Sequence, residues 1–348
     1  MPFEWPDFLT EHGAKPGLSD FVVSSTGCIS AMLGKRFKYL ERFEPNSGPF
    51  EELLGLIWPK GTPELGLDAL EPSAEVGNRR YRVSYCRTER GPQLTLRLIP
   101  EVIRTPSDLR VPAAVVETFC GPGGGLFLFS GDMGSGKSST VSALCLYLGE
   151  QQEHRMMSIE DPVEFMYPEL HGQSSFGMRG VGTSCSSYEQ ALKEVRRQHP
   201  TVVIVGEIRN AATAESSLRL ALIGFKVVAT IHGDNVPATA AAFVAELGEA
   251  GAFWARSNLA QACRMIVSQR LVRHPETGDM LAIHEVLFNI RHLHTSVAAT
   301  FREGRFEKLR QEIQNHRRSG MQTFEDSLND ACNDGLLPAE MRPDQNLL

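Results

Sequence analysis

Gly131-Asp-Met-Gly-Ser-Gly-Lys-Ser138 decides how this chain reads. The octapeptide fills every fixed position of G-x-x-x-x-G-K-[ST], and its flanks supply the context that the pattern needs. Before it stands the apolar run Leu126-Phe-Leu-Phe129, short enough for a buried strand. After Lys137, helical spacing brings Val141, Leu144, Cys145 and Leu148 onto one face. Strand, glycine-rich turn and helix in that order form a phosphate cradle. The glycines let backbone N–H groups turn inward, and the helix N-terminus adds the positive end of its dipole. Lys137 is expected on the β- and γ-phosphates, and Ser138 on Mg²⁺. The predicted nucleotide-binding set is Gly131, Asp132, Met133, Gly134, Ser135, Gly136, Lys137, Ser138 and Ser139, with ATP and Mg²⁺ as the ligands.

Working outward, the apolar runs Met156–Ile159, Val202–Val205 and Val227–Ile231 alternate with amphipathic segments, the pattern of a mostly parallel sheet covered on both faces. Ligands of such α/β folds bind beyond the carboxyl ends of the strands. Hydrolysis there needs a carboxylate near the metal and a group that orients the attacking water. Two residues qualify: Glu160, which closes Met157-Ser-Ile-Glu160, and Glu207, which closes Val202-Val-Ile-Val-Gly-Glu207. Ser138 is the metal ligand expected from the cradle, and the two carboxylates are both candidates for the place beside the ion.

The chain before the cradle mixes short apolar segments with turn residues. Arg80–Arg87 and Leu94–Ile99 alternate as half-buried strands do, and Glu89-Arg-Gly-Pro92 between them reads as a hairpin turn. Two prolines and no periodicity make Ile99–Asp108 a linker. Past the core, Met265–Val272 and Met280–Phe288 flank the turn His274–Asp279, and from about residue 290 the chain reads as helices. The expected division is a small α/β domain over 1–104, a P-loop core over 105–288 and a helical region over 289–348.

Composition narrows the class further. With 348 residues, 42% hydrophobic and 22% charged, the chain has the make-up of a folded soluble protein. A net charge of -7 lacks the basic field of non-specific nucleic-acid binding, so no stable nucleic-acid partner is expected. The seven cysteines are scattered without a C-x-x-C pair, which suits a reducing compartment and argues against a structural zinc site. The run Leu218–Ile231 is interrupted by Arg219 and Lys226, so no direct membrane insertion is expected. The opening residues show no secretory signal, and a cytoplasmic protein is the expectation.

Taken together, the motifs resemble the secretion and pilus ATPases of the PilT/GspE type, which include PilT-like retraction motors and DotB/TraJ-like ATPases of type IV secretion and conjugation. Gly131–Ser138 resembles the Walker A motif, Ser158–Phe165 the aspartate box, Val205–Asn210 the Walker B motif and Ala229–Gly233 the histidine box. Val267-Ser-Gln-Arg-Leu-Val272, Ala282-Ile-His-Glu-Val-Leu287 and Gly320–Leu328 resemble the retraction branch. The four-cysteine zinc module of type II secretion members is lacking.

The resemblance implies a RecA-like core, a smaller PAS-like N-terminal domain and a C-terminal helical region. It implies Glu160 as general base or water-orienting carboxylate, Glu207 as the Walker B glutamate acting through Mg²⁺, so that the metal ligands are Ser138 and Glu207, and His232 as a γ-phosphate sensor. Arg82 and Arg97, with Arg87 or Arg90 in a supporting part, would supply cationic groups from the N-terminal domain. The implied activity is ATP hydrolysis coupled to domain rotation in a homo-hexamer, at the inner membrane through a pilus or secretion platform protein.

Three departures stand beside this. His199-Pro-Thr201 replaces the family's Asp-Pro-Asp, and Gly224-Phe225 replaces a Gly-His pair. Asn289–Ser296 keeps only part of an Arg-Glu-containing motif. They leave open two other readings, a nucleotide-gated accessory subunit with weak or no hydrolysis and a RecA-like nucleic-acid motor that the acidic charge disfavours.

Overall fold

In a computed structural model, the structure describes residues 3–15, 18–33, 36–45, 47–58, 73–99, 102–290 and 293–343. The chain groups into two compact units, Met1–Val102 with Pro162–Met166, and Ile103–Asp161 with Tyr167–Leu348.

The first unit holds α1 (Trp5–Gly13), β1 (Leu18–Ser24), β2 (Cys28–Leu33), β3 (Arg36–Arg42), α2 (Pro49–Ile57), β4 (Ser73–Val76), β5 (Arg79–Thr88) and β6 (Gly91–Leu98). The strands form an antiparallel sheet in the order β3-β2-β1-β6-β5-β4. Alternation assigns its faces. Phe21, Val23, Tyr81, Val83, Tyr85, Leu94 and Leu96 are buried, and Trp5, Leu9, Phe50 and Leu53 of the two helices complete the core. The Trp5 indole donates to the Pro49 carbonyl at 2.6 Å, tying the start of α1 to the start of α2. The hairpin read from Glu89–Pro92 is present, with Thr88 opposite Gly91 and only Glu89 and Arg90 in the turn.

The second unit continues with α3 (Ala113–Cys120), β7 (Gly125–Ser130), α4 (Lys137–Gln151), β8 (Arg155–Glu160), β9 (Leu170–His171), β10 (Ser174–Gly180), α5 (Tyr188–Val195), β11 (Val202–Val205) and α6 (Ala211–Leu222). Then come β12 (Lys226–Ile231), α7 (Val236–Glu246), α8 (Gly248–Ala262), β13 (Cys263–Arg273), β14 (Met280–Phe288), α9 (Thr295–Glu303), α10 (Leu309–Asn315) and α11 (Phe324–Asn333). Eight strands pair in the order β14-β13-β7-β12-β11-β8-β10-β9. From β13 to β10 every neighbour is parallel, and β14 and β9 close the edges antiparallel. Each residue of β7, β11 and β12 is buried, as both-face coverage demands, which is why these strands read as mainly apolar runs.

The hairpin β13–β14 is more than an appendage to this sheet. β13 lies parallel to β7, on the side opposite β12, so the strand that feeds the phosphate loop is flanked by both. Of the departing segment 289–296, Arg291 and His292 lie outside the described residues. Asn289 is buried there and donates to the carbonyls of Ala260 and Cys263, both at 3.0 Å. Among the described residues, no helix is long and apolar enough to cross a membrane.

Candidate phosphate-binding site

The loop between β7 and α4 turns on glycines in the left-handed region, with φ of 140° at Gly131, 77° at Gly134 and 88° at Gly136. Space demands two of them as much as torsion does. A Cβ on Gly131 would stand 2.2 Å from the backbone oxygen of Gln269, and one on Gly136 would stand 2.8 Å from the Gln269 amide nitrogen. Gly136 is also the N-cap of α4 and supplies no capping side chain, so no N-cap side chain competes for the first-turn N–H groups. That is the arrangement an anion uses. Lys137 folds over the loop, its ammonium donating to the carbonyls of Gly131 at 2.7 Å and Asp132 at 2.9 Å. Ser138 and Ser139 open the helix half-buried, whereas Met133 at the loop tip is 84% exposed.

Beside this loop run the carboxyl ends of β12, β11 and β8. Glu160, the last residue of β8, is buried at 9% exposure, and its backbone carbonyl accepts from Val181 N–H at 2.9 Å. One strand over, Gly206 N–H donates to the Ile159 carbonyl at 2.8 Å. A Cβ on Gly206 would stand 3.1 Å from the Cα of Glu160 and 2.9 Å from the Tyr188 hydroxyl, so only glycine lets these tips meet. Glu207 follows at once. Its two carboxylate oxygens are both engaged: His232 Nε2 lies 2.7 Å from Oε1, and Arg209 Nε lies 2.5 Å from Oε2. The carboxylate side chain is 16% exposed and that of His232 is 59% exposed. Thr230, near the end of β12, donates its hydroxyl to the Gly206 carbonyl and locks the two tips together.

Glu160, Glu207 and His232 thus come from three different strands to one end of the sheet, the end that carries Gly131–Ser138. Several neighbours were not singled out from sequence. Arg209 sits inside Val205–Asn210 and shares Glu207 with His232. Tyr188 stands at the start of α5; burial, then the carboxylates of Asp161 and Glu160, push its phenol up, so it remains an O–H donor among acids. Gln269, within Val267–Val272, reaches the phosphate loop itself. Ser130, Ser268 and Thr239 form a buried hydroxyl cluster beneath the loop, with Ser130 Oγ 2.7 Å from Ser268 Oγ and 2.5 Å from Thr239 Oγ1.

Arg82 and Arg97 belong to the first unit, where they face each other across β5 and β6 on the side away from its core. Arg97 pairs with Asp20 of β1 at 2.8 Å, and Arg82 lies 3.7 Å from Glu164. The two arginines are therefore neighbours, each with a carboxylate on its outer side. Arg87 and Arg90 are exposed at the end of the same hairpin.

Comparison with known proteins adds the family. A model described as "Type II/IV secretion system protein" matches residues 77–323. The chain belongs to that family. It is 30% identical over 261 residues to a twitching motility protein of Neisseria gonorrhoeae, covering 75% of this chain and 68% of that one. The crystal structure of the pilus retraction motor PilT with bound ADP superposes with a TM-score of 0.83 at 24% identity, covering 99% of both chains. The Legionella pneumophila ATPase DotB gives 0.80 at 22% identity, covering 98% of this chain and 97% of that one. The RecA-like core expected from the motifs is therefore the fold of the second unit.

Family membership sharpens the meaning of two departures. Thr201 precedes β11 and Phe225 precedes β12, so both lie at the amino ends of strands whose carboxyl ends carry Glu207 and His232. Thr201 Oγ1 accepts from Arg155 N–H at 3.1 Å, and the Phe225 carbonyl accepts from Gly125 N–H at 2.9 Å. Their work is to splice strands at the far end of the sheet. The donor set at the near end suits a hard divalent cation. Ser138 and Glu207 offer oxygen, and Mg²⁺ typically takes one or two protein oxygens together with substrate phosphates. Among the described residues no group of three or more His, Cys, Asp or Glu makes a metal cage without such help.

Proposed function

We propose that this protein is an ATP-hydrolysing motor of the type II/IV secretion family, working as a homo-hexamer that drives type IV pilus retraction or type IV secretion and conjugative transfer. One observation carries the reading. A carboxylate held on both oxygens by His232 and Arg209 stands at the strand tips that flank a complete phosphate loop, beside a second buried carboxylate, Glu160. Binding alone needs the loop; the paired acids are the equipment of hydrolysis.

In this reading the loop N–H groups and Lys137 hold the triphosphate of ATP. Ser138 and Glu207 would hold Mg²⁺, which would supply neutralisation of phosphate charge. Glu160 takes the proton of the attacking water, whose oxygen bonds to the γ-phosphorus as the bridging oxygen departs with ADP. His232, tied to Glu207, reports the state of the γ-phosphate to that carboxylate. Arg82 and Arg97 supply positive charge from the N-terminal domain, the kind of contribution worth on the order of 10³ to 10⁵ in turnover elsewhere. The name of the Neisseria relative, a twitching motility protein, supports the pilus branch. Work at the inner membrane through a platform protein follows from that assignment.

Because Thr201 and Phe225 sit at the opposite end of their strands, they give the accessory-subunit reading no support at the site. Steady-state turnover decides between the two. Purified protein with ATP and Mg²⁺ is expected to release phosphate within the ordinary enzymatic range, roughly 1 to 100 per second at the upper end. A rate equal to that of a blank would leave the accessory subunit.

A further inference from the structure

We propose that Gln269 is a positioning residue for the phosphate loop, a brace delivered from β13 that holds the loop's N–H groups where phosphate meets them. The inference rests on the nucleotide reading above and extends it to a strand outside the four named motifs. Gln269 is 4% exposed, and both ends of its amide are spent on the cradle. Nε2 donates to the Ser135 carbonyl at 2.7 Å, inside the loop. Oε1 accepts from the Thr140 hydroxyl at 2.7 Å, in the first turn of α4. The same residue fills the space a side chain would need at the two glycines that begin and end the turn, by its backbone oxygen at Gly131 and its amide nitrogen at Gly136.

Chemistry restricts what fits there. The position must donate toward Ser135 and accept from Thr140 at once, which a neutral amide does and a carboxylate does not. A carboxylate would set a charged acceptor against the Ser135 carbonyl. A protonated carboxyl has the amide's shape and restores one donor and one acceptor. Gln269→Glu therefore converts the brace into a proton-dependent one. Around it, Asp132 and Lys137 belong to the loop and the start of α4, and His284 lies opposite in the β13–β14 register. Burial holds the His284 imidazole at about 4, so it stays neutral between pH 6 and pH 8 and adds no titration of its own.

The experiment measures the dissociation constant of a fluorescent ATP analogue with Mg²⁺, at pH 6 and pH 8, for wild type, Gln269→Glu, Gln269→Met and Thr140→Val. At pH 8 the glutamate variant is expected to bind about ten- to a hundredfold more weakly than wild type, as an unmet buried donor or acceptor implies. At pH 6 it recovers at least half of that loss on a logarithmic scale, after wild type's own change is divided out. Gln269→Met binds about tenfold more weakly at both pH values, and Thr140→Val loses several-fold. In turnover, KM rises by more than kcat falls. Affinities within twofold of wild type for all three variants, or a glutamate defect that does not shrink at pH 6, overturn the brace. Should glutamate prevent folding, unchanged affinity in Thr140→Val overturns it alone. Wild type that binds no analogue sinks the nucleotide reading instead, so the two failures are told apart.

Discussion

Lys137→Ala is expected to weaken ATP binding by roughly a hundredfold or more, since charge-assisted hydrogen bonds to phosphate are each worth about 1.5–3 kcal/mol. The ammonium spans the loop, resting on the carbonyls of Gly131 and Asp132. A short stem and no charge leave the phosphates with backbone donors only. The fold itself should tolerate the change, because Lys137 lies on the partly exposed loop side of α4 and takes no place in the hydrophobic core. Calorimetric titration with ATP and Mg²⁺ measures the loss, and a melting curve checks that the protein remains folded. Affinity within threefold of wild type would remove the loop from the account.

Glu207→Gln is expected to act on rate, keeping ATP affinity within a few-fold while turnover falls about 10²- to 10³-fold, as loss of one preorganised electrostatic group typically does. The geometry explains why a near-isosteric change is so damaging. The carboxylate accepts from His232 on one oxygen and from Arg209 on the other. An amide keeps one acceptor and turns its NH₂ group toward the remaining donor, so one of the two anchors must let go. Negative charge at the strand tip is lost in the same step. Equal phosphate release from wild type and Glu207→Gln would end the catalytic assignment.

How far the sequence reached depended on the range of the contacts involved. Gly131–Ser138 was legible because its requirements are local: glycines at three left-handed positions, then a lysine and a serine opening a helix. The placement of Glu160 and Glu207 at strand ends was legible because buried parallel strands announce themselves as apolar runs. Within Val267–Val272 nothing local marks Gln269. Its partners Ser135 and Thr140 lie 134 and 129 residues away in sequence, and only the pairing of β13 beside β7 brings them together. Tyr188 has the same cause, its hydroxyl being brought beside Gly206 by the placement of α5. Alanine-rich α7 and α8 gave no amphipathic signal, since Ala240, Ala255 and Ala260 pack while neighbouring alanines face out. β3 was unreadable for the opposite reason, being exposed along nearly its whole length. Thr201 and Phe225 looked like departures near the chemistry because they border its motifs in sequence. A strand's length separates them from it in space.

The most direct measurement is a crystal structure of the protein with a non-hydrolysable ATP analogue and Mg²⁺. Phosphate oxygens seated on the N–H groups of residues 134–138 and on Lys137, with Glu160 and Glu207 both turned toward the γ-phosphate, are the predicted result. An analogue bound elsewhere, or both carboxylates directed away from it, would contradict the account.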